Sequence, residues 1–449
     1  MTTLSTRRRP PSTDGPGGTA PDSTLTPVID TDYPDGPVPR SARRPTLSLV
    51  IVVTGFFFYT PTMVTGGTVA AQFGFAPYLG LALIATVILA AYIALLAVAS
   101  ARTGLTTVLL ARLVLGRWGG KWASLILGGT QVGWYAITIG ILGDLVAAAF
   151  GWSISWPVIL LGGVLMATTA YVGFKGIEAL SWISIPAMAI LCGIVFVRSM
   201  DHVGGWSGLM ATTGLGEMSA GLAITLMIGT FVSGGTQIGN WSRFDRGSTT
   251  RVLLMTAAAV IVVQFGMLFF GGIGSAAFGE ADFVTLLMTM GMVGAAVVLL
   301  VANLWTTNDN AAYAFGVAGA ELFERPSKSP FIIGGVAVAI TLALTGVADA
   351  LTGFLVLVGI LIPPLGGALI GTFFLAWRGV APQDGALAAA PRLRVPGVVA
   401  YLVGAASALA SNLIGWGSPA LLGIVSATVI AGAVGLAQFV SERSSDHHS

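Results

Sequence analysis

The chain has 449 residues, of which 55% are apolar and only 9% are charged. Soluble globular proteins carry about 25% charged residues, so this composition excludes a soluble enzyme and predicts a polytopic membrane protein. The formal net charge of +2 is too small to indicate nucleic-acid binding, which requires a concentrated basic surface. The single cysteine, Cys192, excludes an intramolecular disulfide and a thiolate metal cluster.

The N-terminal segment is polar, rich in Pro, Ser, Thr, Asp and Arg, and has no apolar run that could seed a core. We therefore predict a disordered cytoplasmic tail over residues 1–44. A transmembrane domain over 45–440 and a short cytoplasmic C-terminal tail over 441–449 complete the predicted organisation.

Apolar runs of about 20 residues follow one another through the rest of the chain, each long enough to cross about 30 Å of hydrocarbon. They lack the alternation of barrel strands, so the predicted fold class is an all-α polytopic membrane protein. Breaks at Gly, Pro and charged clusters divide the chain into twelve predicted transmembrane helices, at 46–72, 78–100, 122–149, 155–173, 179–198, 219–241, 252–275, 284–318, 330–348, 351–376, 395–413 and 418–439.

The basic residues predict the orientation, because cytoplasmic loops collect Lys and Arg. When the N-terminus is placed inside, every Lys and Arg except Arg198 falls in a cytoplasmic segment. One missed span would invert every later loop. The distribution therefore favours twelve spans with both termini in the cytoplasm.

Two spans carry interruptions at corresponding positions, five helices apart. The first contains residues 55–61 (GFFFYTP) and the sixth contains residues 229–236 (GTFVSGGT). Such matched segments are typical of transporter sites, because unwound backbone frees carbonyls for a cation and helix N-termini for a substrate. Spans one to five and six to ten are then predicted to be inverted repeats, over about 45–200 and 217–377, with two peripheral helices at about 395–439. The alternative is that the glycines only permit close helix packing.

The third span places an amide and an indole on one helical face, since Gln131 and Trp134 are three residues apart. Gln131 can both donate and accept hydrogen bonds, and Trp134 offers a flat ring for stacking. Together they suit a planar heterocycle with donors and acceptors on its rim. The alternative is an interfacial tryptophan beside a glutamine that bonds a neighbouring helix.

The eighth span holds the densest polar run, residues 303–310 (NLWTTNDN). Asn303, Thr306 and Thr307 fall on one helical face, where neutral oxygens opposite freed carbonyls near Gly55 and Phe58 would suit a sodium ion. Structural helix contacts alone are the alternative, although so many polar positions in a membrane are costly.

Asp309 lies in the same run and is a candidate proton site, because carboxylates inside membranes are functional hypotheses by default. It could equally remain neutral or cap a neighbouring backbone. The chain has no P-loop, HExxH or GxSxG pattern, so neither its own ATP hydrolysis nor an enzymatic activity is predicted. No cofactor and no obligatory protein partner are predicted.

The sequence resembles the nucleobase:cation symporter 1 family, also called the purine-cytosine permease family, and within it the bacterial cytosine permeases. The likeness covers nearly all of residues 36–440. It is carried by the segments 36–39 (GPVP), 65–68 (TGGT), 103–107 (TGLTT), 127–134 (LGGTQVGW) and 303–310 followed by 312–314 (AYA).

The resemblance implies a LeuT-type fold of ten core helices and two peripheral ones, in which a nucleobase binds between the third and sixth spans. The residues that it assigns to the base are the stacking rings Trp134 and Phe231, the polar Gln131, Ser233 and Asn308, and the backbone around Tyr59 and Thr230. Its sodium site would be formed by the carbonyls of Gly55 and Phe58 with Asn303, Thr306 and Thr307.

The expected function is therefore secondary active import of cytosine across a bacterial inner (plasma) membrane, by alternating access and driven by sodium or protons. Tyr59 and Thr230 stand where phenylalanine and serine are expected in cytosine permeases, which leaves the preferred base open. Another base or related heterocycle (purine, uracil, hydantoin or hydroxymethylpyrimidine) and a passive facilitator or sensor are the alternatives.

Overall fold

The computed structural model describes Tyr33 and residues 36–57, 59–172, 174–325, 327–380 and 385–446. These residues are almost entirely helical. The α-helices are α1 (Thr46–Phe57), α2 (Thr60–Phe73), α3 (Phe75–Thr103), α4 (Thr107–Leu115), α5 (Arg117–Phe150), α6 (Trp156–Val172), α7 (Phe174–Val203), α8 (Trp206–Met210), α9 (Ala220–Thr236), α10 (Gly239–Ser242), α11 (Thr249–Phe278), α12 (Phe283–Thr289), α13 (Val293–Leu322), α14 (Ser329–Leu344), α15 (Leu351–Ile370), α16 (Val395–Ile414) and α17 (Pro419–Asp446). Short 3₁₀ turns cover Arg40–Ala42 and Val347–Ala350, and a π-helix continues α15 over Gly371–Ala376.

Each predicted span overlaps a helix or a pair of helices, which confirms the all-α membrane fold class. Among the described residues, six helices are long and apolar enough to cross a membrane, or seven if the bent pair of α1 and α2 is one span. The count of twelve stays a prediction. The predicted C-terminal tail begins inside α17, which continues to Asp446.

The first span is broken where its sequence predicts. The axes of α1 and α2 differ by 57°, and Tyr59 between them has an extended backbone, with φ −135° and ψ 116°. Pro61 lies in the first turn of α2, where its missing N–H leaves no helical bond unmade. Phe58 lies outside the described residues.

The sixth span differs from the prediction, because residues 229–236 remain helical within α9. The chain leaves the helix only at Gln237 and Ile238, before α10. The glycines instead permit close packing: a Cβ on Gly229 would lie 2.8 Å from the carbonyl oxygen of Leu355, and one on Gly235 would lie 2.3 Å from Ile93. The helix is therefore not unwound at these glycines, which pack closely against neighbouring helices.

The eighth span also begins later than predicted. Residues 283–289 form the separate helix α12, and a turn with Gly291 at φ 79° precedes α13 at Val293. Because positive φ is accessible to glycine without steric cost, one helix can end and a second begin here instead of one long helix.

Residues 36–44 are not a free tail, contrary to the prediction. The Arg43 guanidinium donates to the carbonyl of Ala101 at 2.6 Å, and the Arg44 N–H donates to the carbonyl of Phe244 at 2.6 Å. The segment before α1 therefore lies against the ends of α3 and α10. The remainder of the predicted tail, residues 1–32, lies outside the described residues.

Burial separates the centre of the bundle from its periphery. In the apolar window of α9 and α10, 83% of residues are buried, whereas in α16 only 33% are. The helix α9 packs against α2, α3, α5, α15 and α17, and α16 packs mainly against α17. The fold thus places the sixth span at the core and α16 at the edge, as expected for a peripheral helix.

Candidate binding site

A small buried cavity lies beside the break between α1 and α2. It is bounded by α1, the break, α5, α9 and α13, and its lining residues are Phe56, Tyr59, Gln131, Trp134, Thr230, Phe231, Gly234, Thr307, Asn308 and Ala311. Six of the seven residues predicted to contact the base line this one cavity. The seventh, Ser233, lies behind the lining and bonds two of them.

The aromatic side chains meet mainly edge to face. The ring of Tyr59 is 5.4 Å from that of Trp134 and 6.5 Å from that of Phe231, at interplanar angles of 76° and 78°. One face of Phe231 is covered by Phe57, with ring centroids 3.6 Å apart. A flat base that stacks on Trp134 or Phe231 must therefore share the space with Tyr59.

Trp134 is held by a hydrogen bond from α5 to α9. Its indole N–H donates to the Ser233 hydroxyl at 3.0 Å, and the Gln131 amide donates to the same oxygen at 3.4 Å. Trp134 is only 5% exposed, so it is not part of an interfacial aromatic belt. The polar groups predicted to bond the base thus also fix each other.

Asn308 is held from two sides. Its amide oxygen accepts from Thr138 at 2.6 Å, and its amide nitrogen donates to the sulfur of Met166 at 3.2 Å. Because an amide nitrogen carries two donors, one N–H remains for the cavity that Asn308 lines.

The predicted ion-site residues of α13 are brought together, but they bond within the protein. The hydroxyls of Thr306 and Thr307 both donate to the Asn303 carbonyl, at 2.8 and 3.1 Å. The Asn303 amide oxygen accepts from the N–H and the hydroxyl of Thr60, at 3.0 and 2.6 Å. Gly55, in α1, is half-buried.

Asn303 therefore has a role that its sequence position does not reveal. The first N–H groups of a helix have no partner in that helix, and Tyr59, at the N-cap position of α2, makes no side-chain cap. Asn303 supplies this cap to Thr60 from another helix. The broken first span and the polar eighth span thus depend on each other.

Asp309 is fully buried and does not line the cavity. In the part of the chain that the structure describes, no group of three or more His, Cys, Asp or Glu side chains could hold a metal ion.

Gln264 is a residue that the sequence analysis missed. It lies in α11, is completely buried, and its amide donates to the hydroxyl of Thr230 at 3.0 Å. The signal available in the sequence is a lone amide within an otherwise apolar span, a costly placement that usually has a reason.

Residues 37–406 match the family described as permease for cytosine/purines, uracil, thiamine, allantoin, and the chain belongs to this family. This confirms the family predicted from the sequence motifs.

Two curated relatives and one solved structure illustrate the likeness. The chain is 34% identical over 349 residues to the cytosine permeases of Escherichia coli strain K12 and of Escherichia coli O157:H7, which covers 78% of this chain and 82% of each relative. The structure of Mhp1, a nucleobase-cation-symport-1 family transporter in a closed conformation with bromovinylhydantoin bound, is 16% identical with a TM-score of 0.73. That match covers 91% of this chain and 95% of Mhp1, and it confirms the predicted LeuT-type fold.

Proposed function

We propose that this protein imports cytosine across the bacterial inner membrane by symport with a cation, sodium or a proton. One observation carries the proposal: residues predicted to bind a base, from α5, α9, α13 and the break before α2, line a single buried cavity. The family description and the names of the curated relatives support cytosine as the substrate.

The proposed base contacts follow from the cavity. Trp134 and Phe231 supply the stacking rings, while Gln131, Ser233 and Asn308 bond the polar rim of the base. Tyr59 and Thr230 lie at the same cavity and complete it. Because an uncharged base gains little from electrostatics, discrimination depends on satisfied hydrogen bonds around this rim.

The proposed sodium site comprises Gly55, Phe58, Asn303, Thr306 and Thr307. In the closed arrangement the Asn303 amide oxygen is occupied by Thr60. Sodium binding at Asn303 would therefore require the Thr60 hydroxyl to turn away, which links ion binding to the geometry of the helix break. Asp309 is the alternative coupling group, by protonation. We propose no enzymatic activity and no cofactor.

Uptake of radiolabelled cytosine into proteoliposomes tests the proposal. Three conditions are compared: an inward sodium gradient, an inward proton gradient, and neither. Accumulation above equilibrium only with sodium supports the symporter and the Asn303 site, whereas accumulation only with protons shifts the coupling to Asp309. Equilibration without accumulation in all three conditions indicates a passive facilitator and contradicts symport.

A transporter for another base is the second candidate, favoured by Tyr59 and Thr230 at positions where phenylalanine and serine are expected. Unlabelled purines, uracil, hydantoin and hydroxymethylpyrimidine, added as competitors, separate the two. If one of them inhibits uptake more strongly than unlabelled cytosine does, the proposed mechanism stands but that compound is the preferred substrate.

A further inference from the structure

The amide of Gln264 joins α11 to the cavity wall. Its nitrogen donates to the carbonyl of Met227 at 3.2 Å and to the hydroxyl of Thr230 at 3.0 Å. The opposite amide orientation would place the oxygen of Gln264 against the carbonyl of Met227, which has no proton to give. The two contacts therefore fix which end of the amide faces Thr230.

The hydroxyl of Thr230 consequently has a defined polarity. A hydroxyl has one proton and two lone pairs. The proton is donated to the carbonyl of Met227 at 2.8 Å, and one lone pair accepts from Gln264. The second lone pair is the only hydrogen-bonding capacity that remains on this hydroxyl, and Thr230 lines the cavity.

The burial of the Gln264 amide is energetically unfavourable, which indicates that this residue has a role at the binding site. Gln264 is 0% exposed, and its amide oxygen has no hydrogen-bond partner among the described residues. Burial of an unsatisfied polar atom is unfavourable, and an apolar residue at this position of α11 would avoid it. The amide nitrogen, by contrast, makes two bonds, and one of them ends at Thr230, in the wall of the cavity.

We propose that Gln264 is a positioning residue that holds the Thr230 hydroxyl as a hydrogen-bond acceptor for an N–H or amino donor of the base. This inference rests on the proposed function and deepens it, because it assigns the substrate a donor on the edge that meets α9. Gln264 acts through Thr230 and does not touch the base.

Competition with donor-deleted analogues tests this assignment. Uptake of labelled cytosine is measured against unlabelled pyrimidin-2-one, which lacks the amino group, and 1-methylcytosine, which lacks the ring N–H at position 1. In the wild type, one of the two analogues should compete roughly threefold to tenfold less well than cytosine, the effect of one net hydrogen bond. This penalty is the ratio of the half-inhibitory concentration of the weaker analogue to that of unlabelled cytosine. In Gln264→Met and in Thr230→Val, that ratio should fall toward one.

Matched variants separate positioning from folding. Thr230→Ser keeps the hydroxyl and should keep the ratio. Thr225→Val makes the same change on the same helix, where the hydroxyl bonds Gly221 and Ser418 instead, and should also keep it. The double variant Gln264→Met/Thr230→Val should show no further loss, because Gln264 acts only through the Thr230 hydroxyl, which Thr230→Val already removes. Gln264→Leu replaces Gln264→Met if the latter does not fold.

The outcomes are distinct. An unchanged ratio in Thr230→Val, or no penalty for either analogue in the wild type, overturns the acceptor role of Thr230. A changed ratio in Thr230→Val with an unchanged ratio in folded Gln264→Met or Gln264→Leu overturns the role of Gln264. Absence of uptake of any nucleobase by the wild type is instead a failure of the proposed function.

Discussion

A single hydroxyl, that of Ser233, fixes the orientation of Trp134, the ring proposed to stack on the base. Ser233 accepts from both Trp134 and Gln131, so both of its lone pairs are used and only its proton remains to be donated. Trp134 is also flanked edge-on by Tyr59 and Phe354, with ring centroids 5.4 and 5.1 Å away. The indole is therefore fixed before a base arrives, which reduces the entropy lost on binding.

Replacement of this indole should weaken binding without unfolding the protein. We expect Trp134→Ala to lower cytosine affinity roughly fivefold to a hundredfold, because stacking on an aromatic side chain contributes about 1–3 kcal/mol per base. Gln131→Ala should also lower it, through the loss of a rim contact. Equilibrium binding of labelled cytosine to purified protein measures both.

Trp118→Ala is the matched control for this prediction. Trp118 lies on the same helix, α5, but is 62% exposed and outside the cavity, so its loss should leave cytosine affinity unchanged. Wild-type affinity in folded Trp134→Ala would contradict the pocket assignment.

Thr307 belongs both to the cavity lining and to the predicted ion site. We expect Thr307→Ala to raise the sodium concentration for half-maximal uptake about threefold to tenfold, as for the loss of one polar ligand. Cytosine KM at saturating sodium should change less. Thr341→Ala is the control, because Thr341 is exposed on α14 and bonds only its own helix. An unchanged sodium dependence in Thr307→Ala would remove this residue from the ion site.

At the scale of helices, the break in the first span is stabilised from outside that span. Tyr59 adopts an extended backbone, and the next N–H, that of Thr60, is capped by Asn303 of α13. A helix end buried without such a partner would carry unsatisfied donors. The cap ties α2 to α13, which carries Asn303, Thr306 and Thr307 of the proposed ion site, so movement of α2 away from α13 must break it.

Loss of this cap should destabilise the protein even without sodium. We expect Asn303→Ala to lower the free energy of unfolding by about 1–3 kcal/mol, because it leaves the N–H of Thr60 buried and unpaired. Thr60→Val should lower the free energy of unfolding by less, because only the hydrogen bond from the Thr60 hydroxyl is lost. Thermal unfolding in choline chloride, which contains no sodium, measures the effect apart from ion binding.

A wild-type unfolding temperature for Asn303→Ala under these conditions would contradict the capping role. Equal decreases of the unfolding temperature in sodium chloride and in choline chloride would show that Asn303 acts as a cap and does not bind the ion. A larger decrease of the unfolding temperature in sodium would indicate that Asn303 both caps α2 and binds sodium.

At the scale of the whole molecule, the cavity is enclosed by the bundle. Each side chain that lines it is at most 6% exposed. A base cannot reach such a site without movement of helices, and access from one side at a time is what alternating access requires.

The predicted orientation is testable with single cysteines. Cys192 is buried, at 2% exposure, and Cys192→Ser supplies a cysteine-free background. In intact cells a membrane-impermeant maleimide should label Asp201→Cys, because Asp201 is exposed in a predicted outer loop. Arg117→Cys, at the exposed start of α5, should be labelled only after permeabilisation. The reverse pattern would invert the orientation.

Composition and hydropathy determined that this is an all-α membrane protein, because runs of apolar residues long enough to cross a bilayer have few alternatives to the helix. The motifs also determined the family, and residues 55–61 correctly predicted the break in the first span, because Pro and Gly act on the backbone locally. The sequence also pointed to the residues proposed to bind the base, because polar groups stand out within apolar spans.

The tertiary structure alone decided which of these features became a break, a cap or a contact. Residues 229–236 resemble the first interruption in composition, yet they stay helical because their glycines face neighbouring helices. Asn303 caps Thr60 across 243 residues, and Gln264 reaches Thr230 across 34 residues. Such contacts depend on which helices lie side by side, and periodicity within one helix carries no information about its neighbours.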